Sequence, residues 1–140
     1  MKRIILTCMF LCITALGAFA QMERPFEGYL YNDELKIFLK FNLYDKDVIV
    51  PGQEVYGELD GYLGSKQCAH VWAITVAKIL SPTEAEVTLI NNYGSEDLTA
   101  KIIRLADGTY EYRFIDGSTL KFPVKNKWQK IPKTVKLKRK

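Results

Sequence analysis

Histidine and cysteine, the side chains that most often mark a reaction centre, are nearly missing from this chain. One histidine, His70, stands in 140 residues, and of three cysteines only Cys68 lies beyond the apolar N-terminal run that holds Cys8 and Cys12. Two nitrogen or sulfur ligands do not fill the four-ligand shell of a structural zinc ion, so no metal site is expected. Asp45-Lys46-Asp47-Val48-Ile49-Val50 departs at once from the spacing of a calcium loop. No stretch carries a convincing 3.6-residue apolar period or a motif that implies a cofactor, and past residue 20 no apolar run reaches the ~20 residues of a membrane helix.

What is there begins with an export signal. Lys2 and Arg3 precede an apolar stretch from Ile4 to Leu16, and Ala18-Phe19-Ala20 forms a small-x-small site before Gln21. Residues 1–20 are therefore expected to be a cleaved secretory signal peptide, with the mature protein secreted or periplasmic. Lipidation fits poorly, because Cys8 falls too early in the apolar region and bulky Leu11 precedes Cys12. Without Cys8 and Cys12 no intramolecular disulfide can form, so a packed core must hold the mature chain and Cys68 is expected to be buried in it.

Charge is unevenly placed. From Lys125 to the end there are eight basic residues and no acidic one, whereas residues 21–124 carry 10 basic against 16 acidic. Lysines on an edge strand and a frayed terminus explain such a tail, since they discourage edge pairing. The functional reading is contact with an anionic cell surface through Lys133, Lys136, Lys138, Arg139 and Lys140. Nucleic acid is the partner that fits least, because the body is acidic.

Period two governs the rest. In residues 35–43, Leu35, Ile37, Leu39, Phe41 and Leu43 alternate with more polar neighbours, and residues 53–63 repeat the pattern with glycine at inward positions 57 and 61. Further strands are predicted at 26–31, 70–80, 84–91, 98–105, 109–115, 118–123 and 134–138. Asp107-Gly108 and Asp116-Gly117 predict two-residue hairpins, making 98–123 an antiparallel meander. Pro51-Gly52 and Ser81-Pro82 mark further turns. Eight or nine short antiparallel strands predict an all-β domain, a closed or partly closed β-barrel or else a two-sheet sandwich. The domain spans 21–124, and 125–140 supplies a last strand plus a frayed tail. A lipocalin-like Gly-x-Trp is missing from the first strand, which reads Glu27-Gly28-Tyr29, and the residues identify no family.

Candidate sites are weaker. Cys68 and His70 lie two apart, so on a strand they point to one side, parallel rather than with the imidazole aimed at sulfur. The simpler reading is a loop leading into a strand, with Cys68 tucked under it and His70 near the surface. Glu54, Glu58 and Asp60 share a predicted strand face with Tyr56 and Tyr62, and rings interleaved with acids suit sugars or a basic protein. Tyr110, Tyr112 and Phe114 alternate on one face and, with Trp72, are expected in the core, or lining a ligand cavity if the barrel is hollow. Trp128 is expected to plug a barrel end or to sit at a membrane interface.

The favoured function is an exported, non-enzymatic binding domain recognising a protein, a glycan or a small apolar ligand, through Tyr56, Glu58, Asp60, Tyr62, Trp72, Tyr110 and Tyr112. One alternative is a small secreted hydrolase using Cys68 and His70, or carboxylates near 45–60 as an acid–base pair. Another is a surface-associated accessory protein held by its basic tail.

Overall fold

The structure, a computed structural model, describes residues 24–140; the signal-like segment 1–20 lies outside the described residues. Eight strands close a barrel. In chain order the strands are β1 (Glu27–Asn32), β2 (Ile37–Asn42), β3 (Val48–Ile49), β4 (Glu58–Leu59), β5 (Gly61–Ser65), β6 (Val71–Ser81), β7 (Glu84–Asn91), β8 (Asp97–Arg104), β9 (Tyr110–Gly117), β10 (Lys121–Val124), β11 (Lys127–Lys130) and β12 (Thr134–Arg139). Around the barrel the order is β1, β2, β5, β6, β7, β8, β9, β12, and β12 returns to β1 through Leu30–Arg139 and Tyr31–Lys138. Every pairing is antiparallel, and closure leaves the barrel no open edge. No helix among the described residues is long and apolar enough to cross a membrane.

Alternation places the core as expected. Ile37, Leu39 and Phe41 of β2, Ala85, Val87 and Leu89 of β7, and Leu98, Ala100 and Ile102 of β8 point inward and are buried. Trp72, Tyr110 and Tyr112 are likewise buried in this cluster, so the barrel interior is packed with side chains. A barrel of eight strands is just narrow enough to be filled this way.

Three expectations fail for local reasons. Residues 53–63 are not one strand: Glu54–Tyr56 form a 3₁₀ turn, Gly57 turns the chain at φ +70°, and Asp60 separates β4 from β5. This segment is a strap on the outer barrel wall, where Val48, Val50, Tyr62, Val71 and Ala73 make a second small core. Asp116-Gly117 is not a hairpin tip either. It extends β9 past a bulge in which Phe114 faces Ala100 and Asp116 faces Thr99; at Gly117, φ +98°, a Cβ would meet the Asp97 carbonyl oxygen at 2.6 Å. Finally, β10 leaves the meander and pairs with β11, forming a hairpin that covers one barrel end with Leu120, Phe122 and Ile131 packed into the core.

The C-terminal segment does not fray. β12 is a barrel stave that continues to Arg139, and the Lys140 amide donates to the Tyr29 carbonyl at 3.0 Å. The Arg139 guanidinium donates to the carbonyls of Glu27 (2.7 Å) and Pro25 (2.8 Å) and to the Tyr110 hydroxyl (2.7 Å). Arg139 therefore clamps the entry of β1 to the end of β12. It lies against Gly28, where a Cβ would stand 2.6 Å from its Nη1.

Candidate functional site

The two ends of the barrel differ. At the end closed by the β10–β11 hairpin, the Trp72 indole donates to the Lys121 carbonyl at 3.0 Å and the Gln129 amide to the Leu35 carbonyl at 3.2 Å. At the other end the interior is stopped by Phe26. Its amide donates to the Tyr44 hydroxyl at 3.1 Å, and its carbonyl accepts from the Leu43 amide at 3.0 Å, so its backbone is fixed on both sides.

Outside Phe26 an open groove of about 490 Å³ runs between Pro25, Tyr44, the β6–β7 hairpin tip Ile79–Pro82 and Arg104. Its walls are mostly apolar because of how β6 ends. Ile79 pairs with buried Ala85 and so faces the mouth, and a register shift between Ile79 and Ser81 leaves Leu80 as an extra residue. The bulge brings two successive apolar side chains to the same rim, where Ile79 is 42 % and Leu80 52 % exposed. Isolated exposed leucines are ordinary, but two on the lip of a groove floored by Phe26 make a contiguous apolar surface.

A polar recess adjoins the groove, sharing Pro25 and Arg104 with it and adding Arg24, Glu27, Gly108, Tyr110 and Arg139. Arg24 pairs with Glu27 (2.8 Å) and Asp45 (2.6 Å), and these bonds raise its pKa. Hydrogen bonds from Asn42 and then Arg24 hold the Asp45 carboxyl below its usual range. The three donors of Arg139 described above all end on carbonyl or phenol oxygens. The exposed guanidinium of Arg104 has neither an ion pair nor a hydrogen bond among the described residues.

At the sealed end His70 is buried, against the expectation that it would lie near the surface. Its ring is surrounded by Tyr93 (5.8 Å between centroids), Trp128 (6.1 Å), Phe122 (6.3 Å) and Trp72 (6.5 Å). Burial in this aromatic cage pushes its pKa down, opposed by Glu96. Glu96 itself pairs with Lys121 at 3.2 Å. Cys68 lies in the turn before β6, half-buried against the core. Among the described residues no hydrogen bond joins it to His70, and no three His, Cys, Asp or Glu side chains gather as a metal-binding set.

The proposed acid-and-tyrosine face is not assembled. Tyr56 is exposed on the 3₁₀ turn and Glu58 is exposed on β4, whereas Asp60 and Tyr62 are buried. The Tyr62 ring packs edge-on against Phe38, and Phe38 stacks on Tyr29. Burial raises the pKa of Asp60 against the weaker pull of Lys46, whose ammonium is 3.9 Å away. Trp72, Tyr110 and Tyr112 are core residues, although the Tyr110 hydroxyl reaches the recess, where it donates to the Pro25 carbonyl. Of the tail cations, Lys136 pairs with Asp107 at 3.3 Å and Arg139 serves the clamp, while Lys133, Lys138 and Lys140 remain exposed. Trp128 is half-exposed on β11 with the Lys121 ammonium 4.9 Å from its ring centre, at the sealed end rather than inside it.

Comparison with family models, with curated proteins and with solved structures finds no match. The mouth residues escaped sequence reasoning, yet they left a signal. Ile79-Leu80 breaks the alternation of β6 just before Ser81-Pro82, and consecutive apolar residues at a hairpin tip have no core to enter.

Proposed function

We propose that this protein is an exported, non-enzymatic binding domain that holds a small apolar ligand in the open groove at the mouth of its barrel. The observation that carries this reading is an apolar groove of about 490 Å³ lying outside a barrel whose interior is already packed. That volume falls within the range of about 300–1,000 Å³ common to small-molecule sites. The lip residues Ile79 and Leu80 spend exposed apolar area that a ligand would cover, at ~25 cal/mol per Å² removed from water. A buried His70 caged by four aromatic rings and joined by no hydrogen bond to Cys68 among the described residues is poor material for acid–base work, which favours binding over catalysis.

The test is titration with Nile red, a neutral dye whose emission shifts in apolar surroundings. Saturable one-to-one binding, weakened at least fivefold by Leu80→Asp, is expected. Binding that ignores this substitution refutes the mouth as the site. Export is tested separately by N-terminal sequencing of the protein recovered outside the cytoplasm, which should begin at Gln21; recovery of Met1 there counts against processing.

A further inference from the structure

We infer that the ligand of this groove is a single-chain fatty acid, its acyl chain lying over Phe26, Ile79, Leu80 and Pro82 and its carboxylate on Arg104. The inference rests on the mouth reading and adds the chemistry of the head group. Three arginines ring the recess beside the groove, and their donors are committed to different degrees. Arg24 is more than offset by Glu27 and Asp45, two carboxylates against one guanidinium. Arg139 keeps its full positive charge, because its donors end on the Glu27 and Pro25 carbonyls and the Tyr110 hydroxyl, but it has spent them on holding the barrel shut. Among the described residues Arg104 alone of the three has neither an ion pair nor a side-chain hydrogen bond, and it borders both the apolar groove and the polar recess.

The arrangement selects for charge and for shape. One planar fork with free donors matches one planar carboxylate, and the uncompensated charge of Arg139 behind it adds attraction for any anion entering the recess. A cationic head group would meet two arginines against the one carboxylate that Arg24 leaves uncompensated, a net repulsion, while a neutral one would leave the fork unpaired. A single groove with a free cation at its margin accordingly fits one chain bearing one negative charge.

The experiment compares sodium dodecanoate with dodecyltrimethylammonium, each below its micelle concentration, as competitors of Nile red on the whole mature chain. Dodecanoate should displace the dye at least tenfold more strongly than the cation. Arg104→Gln should collapse that preference to within about twofold, and Lys66→Gln, at the sealed end, should leave it intact. Equal displacement by the two amphiphiles, or a preference that survives Arg104→Gln in a protein with an unchanged urea midpoint, overturns the carboxylate assignment while the mouth reading stands. Failure of Nile red to bind brings down the mouth reading itself, and the fatty-acid assignment with it. Tighter displacement by a free apolar tripeptide than by dodecanoate would reassign the groove to a peptide C-terminus.

Discussion

Tyr110 and Tyr112 face the same interior, two residues apart on β9, and each is about 1 % exposed, yet removing their hydroxyl groups should shift stability in opposite directions. The Tyr110 hydroxyl donates to the Pro25 carbonyl and accepts from the Arg139 guanidinium. Tyr110→Phe deletes a charge-assisted bond and leaves a guanidinium donor unpaired, a loss of about 1.5–2 kcal/mol. The Tyr112 hydroxyl is buried with no partner among the described residues, and burial alone drives its pKa well up. An unpaired buried hydroxyl costs roughly 1–3 kcal/mol, whereas the gap left by one oxygen atom, roughly 10 Å³, costs only ~0.2 kcal/mol. Tyr112→Phe should therefore stabilise the protein by about 1 kcal/mol.

The two variants have the same composition, so effects on the unfolded chain nearly cancel in their comparison. Urea unfolding followed by the fluorescence of buried Trp72 reads the difference directly. With a slope of about 2 kcal/mol per molar, the midpoint should fall by roughly 0.8–1 M for Tyr110→Phe and rise by about 0.5 M for Tyr112→Phe, with the slope itself unchanged. A midpoint that falls for Tyr112→Phe as far as for Tyr110→Phe refutes the reasoning. It would mean that the phenol is satisfied by water in the cavity of about 40 Å³ lined by Tyr112, Phe114, Leu120 and Ile131, which has room for one.

Other perturbations separate the remaining parts of the fold. Because burial lowers the pKa of His70, the unfolded chain binds its proton first: stability is fully present above pH ~6.5, falls as the pH drops below it, and levels off below the folded value. Unfolding midpoints between pH 8 and 5 should show this slope, and it should vanish in His70→Gln; an identical slope in the variant assigns it to other groups. Gly61→Ala would place a Cβ 2.4 Å from the Lys40 carbonyl oxygen and 2.7 Å from the Phe41 Cα, at φ +153°, and should cost about 3 kcal/mol or more, read as a melting temperature lower by roughly 10 °C. A shift below 3 °C would show that β2 and β5 do not approach as closely as their register requires. Lys138→Glu with Lys140→Glu reverses exposed charge at the end of β12 and just beyond it, and should release the protein from anionic vesicles if the tail is a surface anchor, whereas unchanged retention removes that role.

The sequence made the barrel legible wherever alternation coincided with burial. β2, β7 and β8 read directly because every second residue enters the core, and the strand over 84–91 coincides with the β7 observed. The same signal misled at 53–63, since alternation states what a strand would bury without stating that a strand forms. Val55, which shares the parity of inward Gly57 and Gly61, is 89 % exposed because Gly57 turns the chain and the Glu54 carboxylate accepts from the Gly52 amide. Asp116-Gly117 failed differently: positive φ at glycine serves a bulge or a close approach as well as a turn, and only the partner strand decides between them. The mouth was illegible because its residues come from four separate parts of the chain, the entry to β1, the end of β2, the β6–β7 tip and Arg104, and no local pattern connects them.

Packing thereby takes the barrel interior, and the proposed binding falls to the rim. Cys68 is a free thiol among the described residues, so packing holds the barrel, and Trp72, Tyr110 and Tyr112 occupy the space that a hollow barrel would offer a ligand. Any ligand is consequently left to the rim, where the sealed end offers a hairpin and the open end a groove. The Arg139 clamp closes β12 onto the start of β1 and also places its charge in the recess beside the groove. Truncating 133–140 would therefore remove a stave and unfold the barrel before it reported on any surface contact. Arg139→Lys keeps the stave and the charge but loses the fork that spans three acceptors, so it should lower stability while leaving the attraction for an anionic head group in place.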